Sequence, residues 1–432
     1  MPDYPGQMSF DDMRPEYERD AGYTYGARAR SPGSSDGAKL WLFGVAAASF
    51  LGAIFAAIST SDFVQHLDRQ VHSIHCSIVP GAGAGFGDSG CRTVMMSPYS
   101  SLFRESFWGG IPISLLALAV FAYLVARALS FALADGISRR ETGYLVLATC
   151  LPALMSLLYG VISAVQIGEL CTNCVGVYLS SALALGLAFV AHAKAPASPT
   201  HDNLGTYFGW FFVGVGYVAL LVVLYVGLAP SEKDPAKGCG TLVKRSDPSG
   251  VILSLGGKPG GTKALAVLDP LCPACRAFDG RLHASSVVDE LKLEAVLFPL
   301  DSTCNWMVKE SLHPGACAVS EAMLCASDEA PAILAWAFEN QEALLEEAKA
   351  DERKLRRRIA ERFPAVKSCL GSPKARNKVN KSLRFAVANA LPVLTPQLFV
   401  GDRRVCDEDT DLGLEYTVRR MIEAEAKQGG KR

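Results

Sequence analysis

The stretch "VQIGELCTNCVGVYL", Val165 to Leu179, sets two cysteines in Cys-X-X-Cys spacing, Cys171 and Cys174, between two apolar runs. One run ends at Ile167 and the other starts at Val175. A bilayer core of about 30 Å takes roughly 20 helical residues to cross. Working outward, five apolar segments meet that length: approximately Leu40 to Ser59, Trp108 to Ala134, Tyr144 to Ile167, Val175 to Val190, and Tyr207 to Leu228. The fourth is the shortest, so its start is expected at or before Cys174. A spanning segment must satisfy its backbone hydrogen bonds internally, and no barrel-type alternation is visible, so all five are predicted as helices. The paired thiol then sits at a membrane surface.

The 432 residues leave room for two or three domains, and 50% of them are hydrophobic, above the usual range for a soluble enzyme. A formal net charge of -1 offers no clustered cationic surface for phosphate, which excludes nucleic acid as a partner. Thirteen cysteines fit an oxidising compartment or metal binding better than a reducing cytosol. Three groups stand out: Cys171/Cys174, Cys272/Cys275, and Cys76/Cys91 in the loop after the first apolar run. Residues 1–38 lack the apolar core of a signal peptide and read as a polar, disordered tail.

Lysine and arginine in the short connections set orientation. Arg28, Arg30 and Lys39 precede the first span, Arg139 and Arg140 separate the second from the third, and Lys194 follows the fourth. Those connections are expected to face the cytoplasm, although Arg92 and Arg104 in the first outer loop weaken the bias. By alternation the loop from Thr60 to Phe107, the "GELCTNC" turn and everything after Leu228 lie outside. All three cysteine groups fall on that side. The histidines His66, His72 and His75 near Cys76 belong to "DFVQHLDRQVHSIHC", read as an interfacial amphipathic helix with Phe63, Val64, Leu67, Val71 and Ile74 toward lipid.

After the fifth span, "APSEKDPAKGCG" reads as a linker, and the remainder has soluble composition. Its pattern is a strand (Lys263 to Asp269), a Cys-X-X-Cys opening a helix, a strand (Leu291 to Leu300), a long helical stretch (about Asn305 to Ala390), then "TPQLFVGDRRV" and a final helix. In "DPLCPACRAF", Cys272 falls where a helix N-terminus stabilises a thiolate, and Cys275, one turn in, is expected to be the buried resolving thiol. This order resembles a thioredoxin fold with a helical insertion, as in the DsbA-type thiol oxidases. The resemblance implies a cis-proline loop at Thr395 and Pro396 beside the active disulfide. A zinc ribbon would need the two Cys-X-X-Cys pairs to converge, and here they open different helices separated by a membrane span. No metal ligands are assigned.

The membrane part, Leu40 to Val190, resembles the vitamin K epoxide reductase family. Three features carry this: the loop pair Cys76 and Cys91, the run "CRTVMMSPYSSLFRESFWGGIPISLLAL" with Ser97 and Gly110-Ile111-Pro112, and the Cys-X-X-Cys opening the fourth helix. Tyr178 stands four residues after Cys174, on the same helical face. The resemblance implies a quinone acceptor, ubiquinone or menaquinone, with Ser97 and Tyr178 at its head, Cys91 pairing with or attacking Cys171, and Cys174 reducing it. One departure is the fourteen-residue, glycine-rich gap "SIVPGAGAGFGDSG" between the loop cysteines. A glycine-rich segment is flexible, so two readings stand, a device that lets a shuttle disulfide swing or a tolerated insertion, and the insertion is favoured.

Together these imply a four-helix membrane core with a fifth linking helix, followed by an α/β thioredoxin-like domain with helical insertion. Expected boundaries are 1–38 for the tail, 39–193 for the core, 194–230 for the fifth helix with its loop, 231–250 for the linker and 251–428 for the thioredoxin-like domain. The expected activity is quinone-dependent disulfide formation in a bacterial inner membrane. Electrons pass from reduced exported proteins to Cys272/Cys275 in the periplasm, then Cys76/Cys91, then Cys171/Cys174, then quinone. Alternatives are a vitamin K epoxide or quinone reductase, a disulfide reductase or isomerase, and a non-catalytic protein held by disulfides or zinc. Cys239, Cys304, Cys317, Cys325, Cys369 and Cys406 are read as structural staples, with 15 pairings open. Cys150 is read as a packing residue, Arg127 as a snorkelling cation, and "LRRRIAERF" as part of a solvated helix face.

Overall fold

Five apolar runs too long for an ordinary core become helices long enough to cross a membrane. The computed structural model describes residues 35–67, 87–197, 204–229 and 234–429. Residues 1–34 of the tail and the segment 68–86, which holds His72, His75 and Cys76, lie outside the described residues. The spans are α1 (Ser35–Leu67), α3 (Ile113–Ala132), α4 (Arg139–Ile162), α5 (Thr172–Lys194) and α6 (Leu204–Leu228), and a wide π turn, Ser163–Ile167, prolongs α4. A short helix α2 (Gly87–Met96) and the antiparallel strands β1 (Ser101–Leu102) and β2 (Ile111–Pro112) form the connection between α1 and α3.

The second span starts five residues later than its hydropathy suggests, at Ile113 rather than Trp108. The cause is backbone geometry. Gly109 and Gly110 hold φ of 75° and 76°, and Pro112 caps α3 in an extended conformation. Ser138 and Glu141 start α4 with a capping box. In the bundle, α1 packs chiefly on α3 and α5, and α4 closes against α5. The α6 helix buries none of its residues and leans on α3, where the Tyr123 hydroxyl donates to the Trp210 carbonyl at 2.6 Å. Arg127 sits in a cage of Tyr123, Phe131 and Trp210 rings, 5.4–5.6 Å from their centroids, rather than simply reaching for the interface.

The C-terminal part is built on a five-stranded sheet: β3 (Leu253–Gly257), β4 (Thr262–Leu268), β5 (Leu291–Leu297), β6 (Gln397–Val400) and β7 (Arg403–Arg404), in the spatial order β3-β5-β4-β6-β7. Only β4 and β5 run parallel, joined by α7 (Pro273–Ala284). β4 lies at the centre and its last five residues are all buried, so "ALAVL" reads as an unbroken apolar run. The single helical stretch expected from 305 to 390 is four helices: α8 (Ala316–Cys325), α9 (Ala330–Glu339), α10 (Gln341–Arg362) and α11 (Pro373–Ala388). Gly315, Pro331, Pro364 and Pro373 fall at or next to the breaks. The basic run of α10 is more than a solvated face, because Arg356 pairs at 2.6 Å with Glu321, a residue 1% exposed on α8. The final helix is α12 (Leu414–Gly429).

Six cysteines form three bridges: Cys239–Cys406, Cys304–Cys317 and Cys325–Cys369. The two parts of the chain touch. Leu412 is buried with Phe63, Leu67 and Met96, so Phe63 and Leu67 face protein and not lipid, correcting the interfacial-helix reading at those residues. A purely sequence-based moment could not see Leu412 arriving from 345 residues further along the chain. Around this contact His66 Nε2 meets Asp411 Oδ2 at 2.7 Å, and Glu105 meets Arg419 at 2.6 Å and hydrogen-bonds Ser286.

Candidate active sites at two helix starts

Where α4 and its π turn end, Gly168 takes φ 76° and the chain turns into α5. Cys171 is the N-cap of α5, extended at φ −92° and ψ 124°, and its sulfur accepts the Cys174 N–H at 3.3 Å. That places both sulfurs at the positive end of the helix. Cys171 is buried against Cys91, with Val94 and Cys174 beside them. Gly90 makes the approach possible, since a Cβ there would lie 2.5 Å from the Leu170 carbonyl oxygen. Cys91 is disulfide-bonded. Cys76 lies outside the described residues, so only one member of the expected loop pair is placed.

Cys91, Cys171 and Cys174 line a cavity of about 540 Å³ enclosed by α1, α3, α4 and α5. Its walls are mainly apolar, among them Phe121, Leu151, Met155 and Val177, with a few polar groups. Ser97 and Tyr178 are two of these. The Ser97 hydroxyl donates to the Val94 carbonyl at 2.7 Å, and Tyr178 lies beside Gly160 of α4. The turn holding Ser97 is clamped by Arg104, whose guanidinium donates to the Ser97 carbonyl at 2.5 Å, Ser101 Oγ at 2.7 Å and Ser100 Oγ at 2.8 Å. Burial pulls the Arg104 pKa down to about 10, which leaves the group charged at neutral pH.

Sequence reading passed over Arg104 as a mere topology signal, and it passed over Asp62 and Asn173 altogether. Both of these line the cavity and are 2–3% exposed. Asn173 lies inside the Cys-X-X-Cys, a position that deserved weighing. A polar residue at the end of an apolar run, as Asp62 is, ordinarily marks the span's edge and gives no further signal.

The second site opens α7. Cys272 is again an extended N-cap, at φ −82° and ψ 120°, with Pro273 in the first helical position. Its sulfur lies 3.8 Å from the Thr395 carbonyl oxygen, and the Thr395–Pro396 peptide bond is cis. Cys272, Cys275, Thr395 and Pro396 therefore meet at one place. A hydrogen bond from the Cys275 thiol outweighs burial and, with the Thr395 contact, brings the Cys272 thiol down to about 6. Cys275 is fully buried, and burial pushes its thiol well up. Cys171, Cys174, Cys272 and Cys275 are all free thiols.

The structure does not bring the two dithiols together. Ser286, just past the end of α7, bonds Glu105 of the bundle, so the docked end of α7 is the one away from Cys272. The twelve-residue helix places Cys272 about 18 Å from that end.

Residues 43–189 match the model of the vitamin K epoxide reductase family. The match runs from within α1 to within α5, so this stretch of the bundle is a domain similar to that family. No curated protein and no solved structure is found to match the chain. Proteins of the vitamin K epoxide reductase family are oxidoreductases that use quinones, and the match covers the cavity, Cys91 and the Cys171/Cys174 pair. The cavity fits such a ligand. Its volume lies in the range of small-molecule pockets, and its apolar walls with few polar groups suit a flat, oily ring with two oxygens. The chain is thus a multi-pass membrane protein carrying an oxidoreductase domain, joined to a C-terminal part of mixed helices and strands.

Proposed function

We propose that the chain is a quinone-dependent thiol oxidoreductase of a bacterial inner membrane that makes disulfides in exported proteins. The observation that carries this is the single cavity in which Cys174 and Tyr178 face an apolar ligand space while Cys171 packs on the disulfide-bonded Cys91. A dithiol so placed has a protein sulfur on one side and a lipid-soluble acceptor on the other.

The C-terminal part is the thioredoxin-like, DsbA-type donor domain, located in the periplasm. Cys272/Cys275, cis Thr395–Pro396 and the central parallel pair β4–β5 support that reading. Each exchange is attack by a thiolate on a disulfide sulfur through a mixed disulfide. A substrate dithiol reduces the Cys272–Cys275 disulfide and leaves as a disulfide. Cys272/Cys275 then reduces the Cys76–Cys91 pair, which in turn reduces Cys171–Cys174. The quinone, ubiquinone or menaquinone, supplies the final sink for two electrons and two protons and leaves as quinol. Ser97 and Tyr178 orient its head, and Arg104 fixes the turn that carries Ser97.

The docked arrangement gives the loop cysteine a specific task. About 18 Å of α7 separates Cys272 from the bundle contact. Cys76 lies nine residues beyond Leu67, a length of chain that spans at most ~31 Å when extended. Cys76 and Cys91 therefore stand as the intermediate pair between the two dithiols.

The test is oxygen-free incubation of the purified full chain with a reduced, unfolded protein that bears thiols. Disulfides should form in proportion to the quinone added, one per quinol. Quinone reduction that proceeds equally well in Cys272→Ala with the protein substrate would end the oxidase reading.

A further inference from the structure

The residues between the cysteines of the second site, Pro273 and Ala274, carry no charge or hydrogen-bonding side chain. Asp269, three positions before Cys272, is fully buried. Its Oδ1 accepts the Leu271 N–H at 2.8 Å, and its Oδ2 accepts the Leu300 N–H at 2.7 Å and meets His313 Nδ1 at 2.7 Å. A buried anion this close disfavours a second negative charge on Cys272. Asp269 alone therefore works against the thiolate on which disulfide donation depends.

His313 answers that charge from a different part of the chain. It belongs to the 301–315 segment between β5 and α8, and its side chain is 14% exposed. The segment is built to hold it in place. The Cys304–Cys317 bridge closes it, and Asp301 accepts the N–H groups of Gly315 at 2.9 Å and Cys317 at 3.4 Å.

We propose that His313, held by the buried Asp269, is the cation that stabilises the Cys272 thiolate, and so is a positioning residue of the donor site. Asp269 joins it to the start of α7, since the Asp269 backbone carbonyl accepts the Cys272 N–H at 3.1 Å while its carboxylate meets His313, and Asp301 and Cys272 act on the imidazole electrostatically. Burial alone would lower the imidazole's pKa. The Asp269 hydrogen bond and charge outweigh that and raise it, with Cys272 and Asp301 adding in the same direction. The His313 imidazolium then cancels the Asp269 charge that otherwise opposes the Cys272 thiolate. The inference rests on reading Cys272/Cys275 as a redox dithiol, but it needs neither a quinone nor a protein client.

The experiment is alkylation of Cys272 by iodoacetamide across pH in the reduced full chain, in detergent, read by mass spectrometry of the Cys272 peptide. His313→Gln keeps an N–H for Asp269 and loses the charge. Its alkylation midpoint should rise by about one pH unit, a ~10-fold loss of thiolate on the acid side of the midpoint. His313→Lys should restore most of that loss. Asp269→Asn/His313→Gln, which removes both charges, should titrate nearer the parent than His313→Gln does. An unchanged midpoint in His313→Gln would overturn the proposal, as would a rise that neither the lysine nor the double variant relieves. Quinone-dependent oxidation is measured separately, so a failed relay and a failed charge assignment give different patterns.

Discussion

The two dithiols are built on the same local device. Cys171 and Cys272 are both extended N-caps with nearly equal backbone angles, and each is followed one turn later by the second cysteine. What differs is everything that surrounds the helix start. Around Cys171/Cys174 four helices leave a largely apolar cavity of about 540 Å³. Around Cys272/Cys275 the neighbours are the Thr395 carbonyl, the Asp269–His313 pair and the core of a sheet domain. A helix N-terminus makes a thiolate in either place. The walls decide which oxidant or reductant can reach it.

That comparison breaks most sharply at Cys174. Cys174→Ala should abolish quinone reduction by any thiol donor, a loss of at least ~1000-fold, because Cys171 packs on Cys91 and Cys174 is the thiol left to reduce the quinone. Stopped-flow absorbance of the quinone would show it, and residual turnover above a few per cent would mean that another group delivers the electrons. Cys272→Ala should act on one site alone, stopping oxidation of a folded or unfolded protein client while a small dithiol still reduces quinone through the bundle. Parallel assays with both donors separate the sites, and equal loss with both would merge them.

A stability effect of intermediate size is expected at the helical insert. Removing the Cys325–Cys369 bridge, which closes a 44-residue separation, should destabilise the soluble part by about 4 kcal/mol in the chain-entropy model. Thermal unfolding of the double Cys→Ala variant measures this, and the α5 dithiol should keep its activity with small dithiols.

The pH response sharpens the difference further. Cys272 has a folded-state pKa of about 6, below the ordinary thiol value, so its thiolate favours the folded, reduced protein. That contribution is complete above the unfolded-state pKa, near 8.5, and is lost as pH falls through about 6. The reduced soluble part should therefore lose stability between pH 8.5 and 6 relative to its oxidised form. Denaturant titrations of both redox states, or the potential of the pair against pH, would reveal an absent trend. The smallest expected effect is at the contact between the two regions. Arg419→Ala removes a partly exposed pair with Glu105, and surface pairs contribute roughly 1 kcal/mol or less. Cross-linking across the contact should weaken slightly, while each dithiol keeps its own reactivity.

Much of this was legible in residues with strong local signals. Unbroken apolar runs place five spans, and Cys-X-X-Cys next to a helix start marks each dithiol. Boundaries failed where local backbone geometry overrode hydropathy, as at Gly109, Gly110 and Pro112, which delay α3. The helical insert failed in the same way, because composition favours helix from 305 to 390 but Gly315, Pro331, Pro364 and Pro373 interrupt it. The remaining gaps are long-range pairings. Leu412 covering Phe63, His313 reaching Asp269 and Arg104 clamping the Ser97 turn leave no periodic trace, because each depends on where a distant or irregular segment comes to rest. The three bridges belong to this class too, since 15 pairings are equal in sequence until the fold selects one.

The Cys239–Cys406 bridge sets the length of the leash on the C-terminal part. Cys239 stands eleven positions after Leu228, the last residue of α6, and the bridge fastens it to the loop before α12. Such a leash spans at most ~37 Å. A domain held that close meets its neighbouring bundle at an effective concentration in the millimolar range, whatever its abundance in the cell. Any separate thiol protein would have to reach comparable concentrations to compete, so the bridge gives the chain's own C-terminal dithiol privileged access to the bundle.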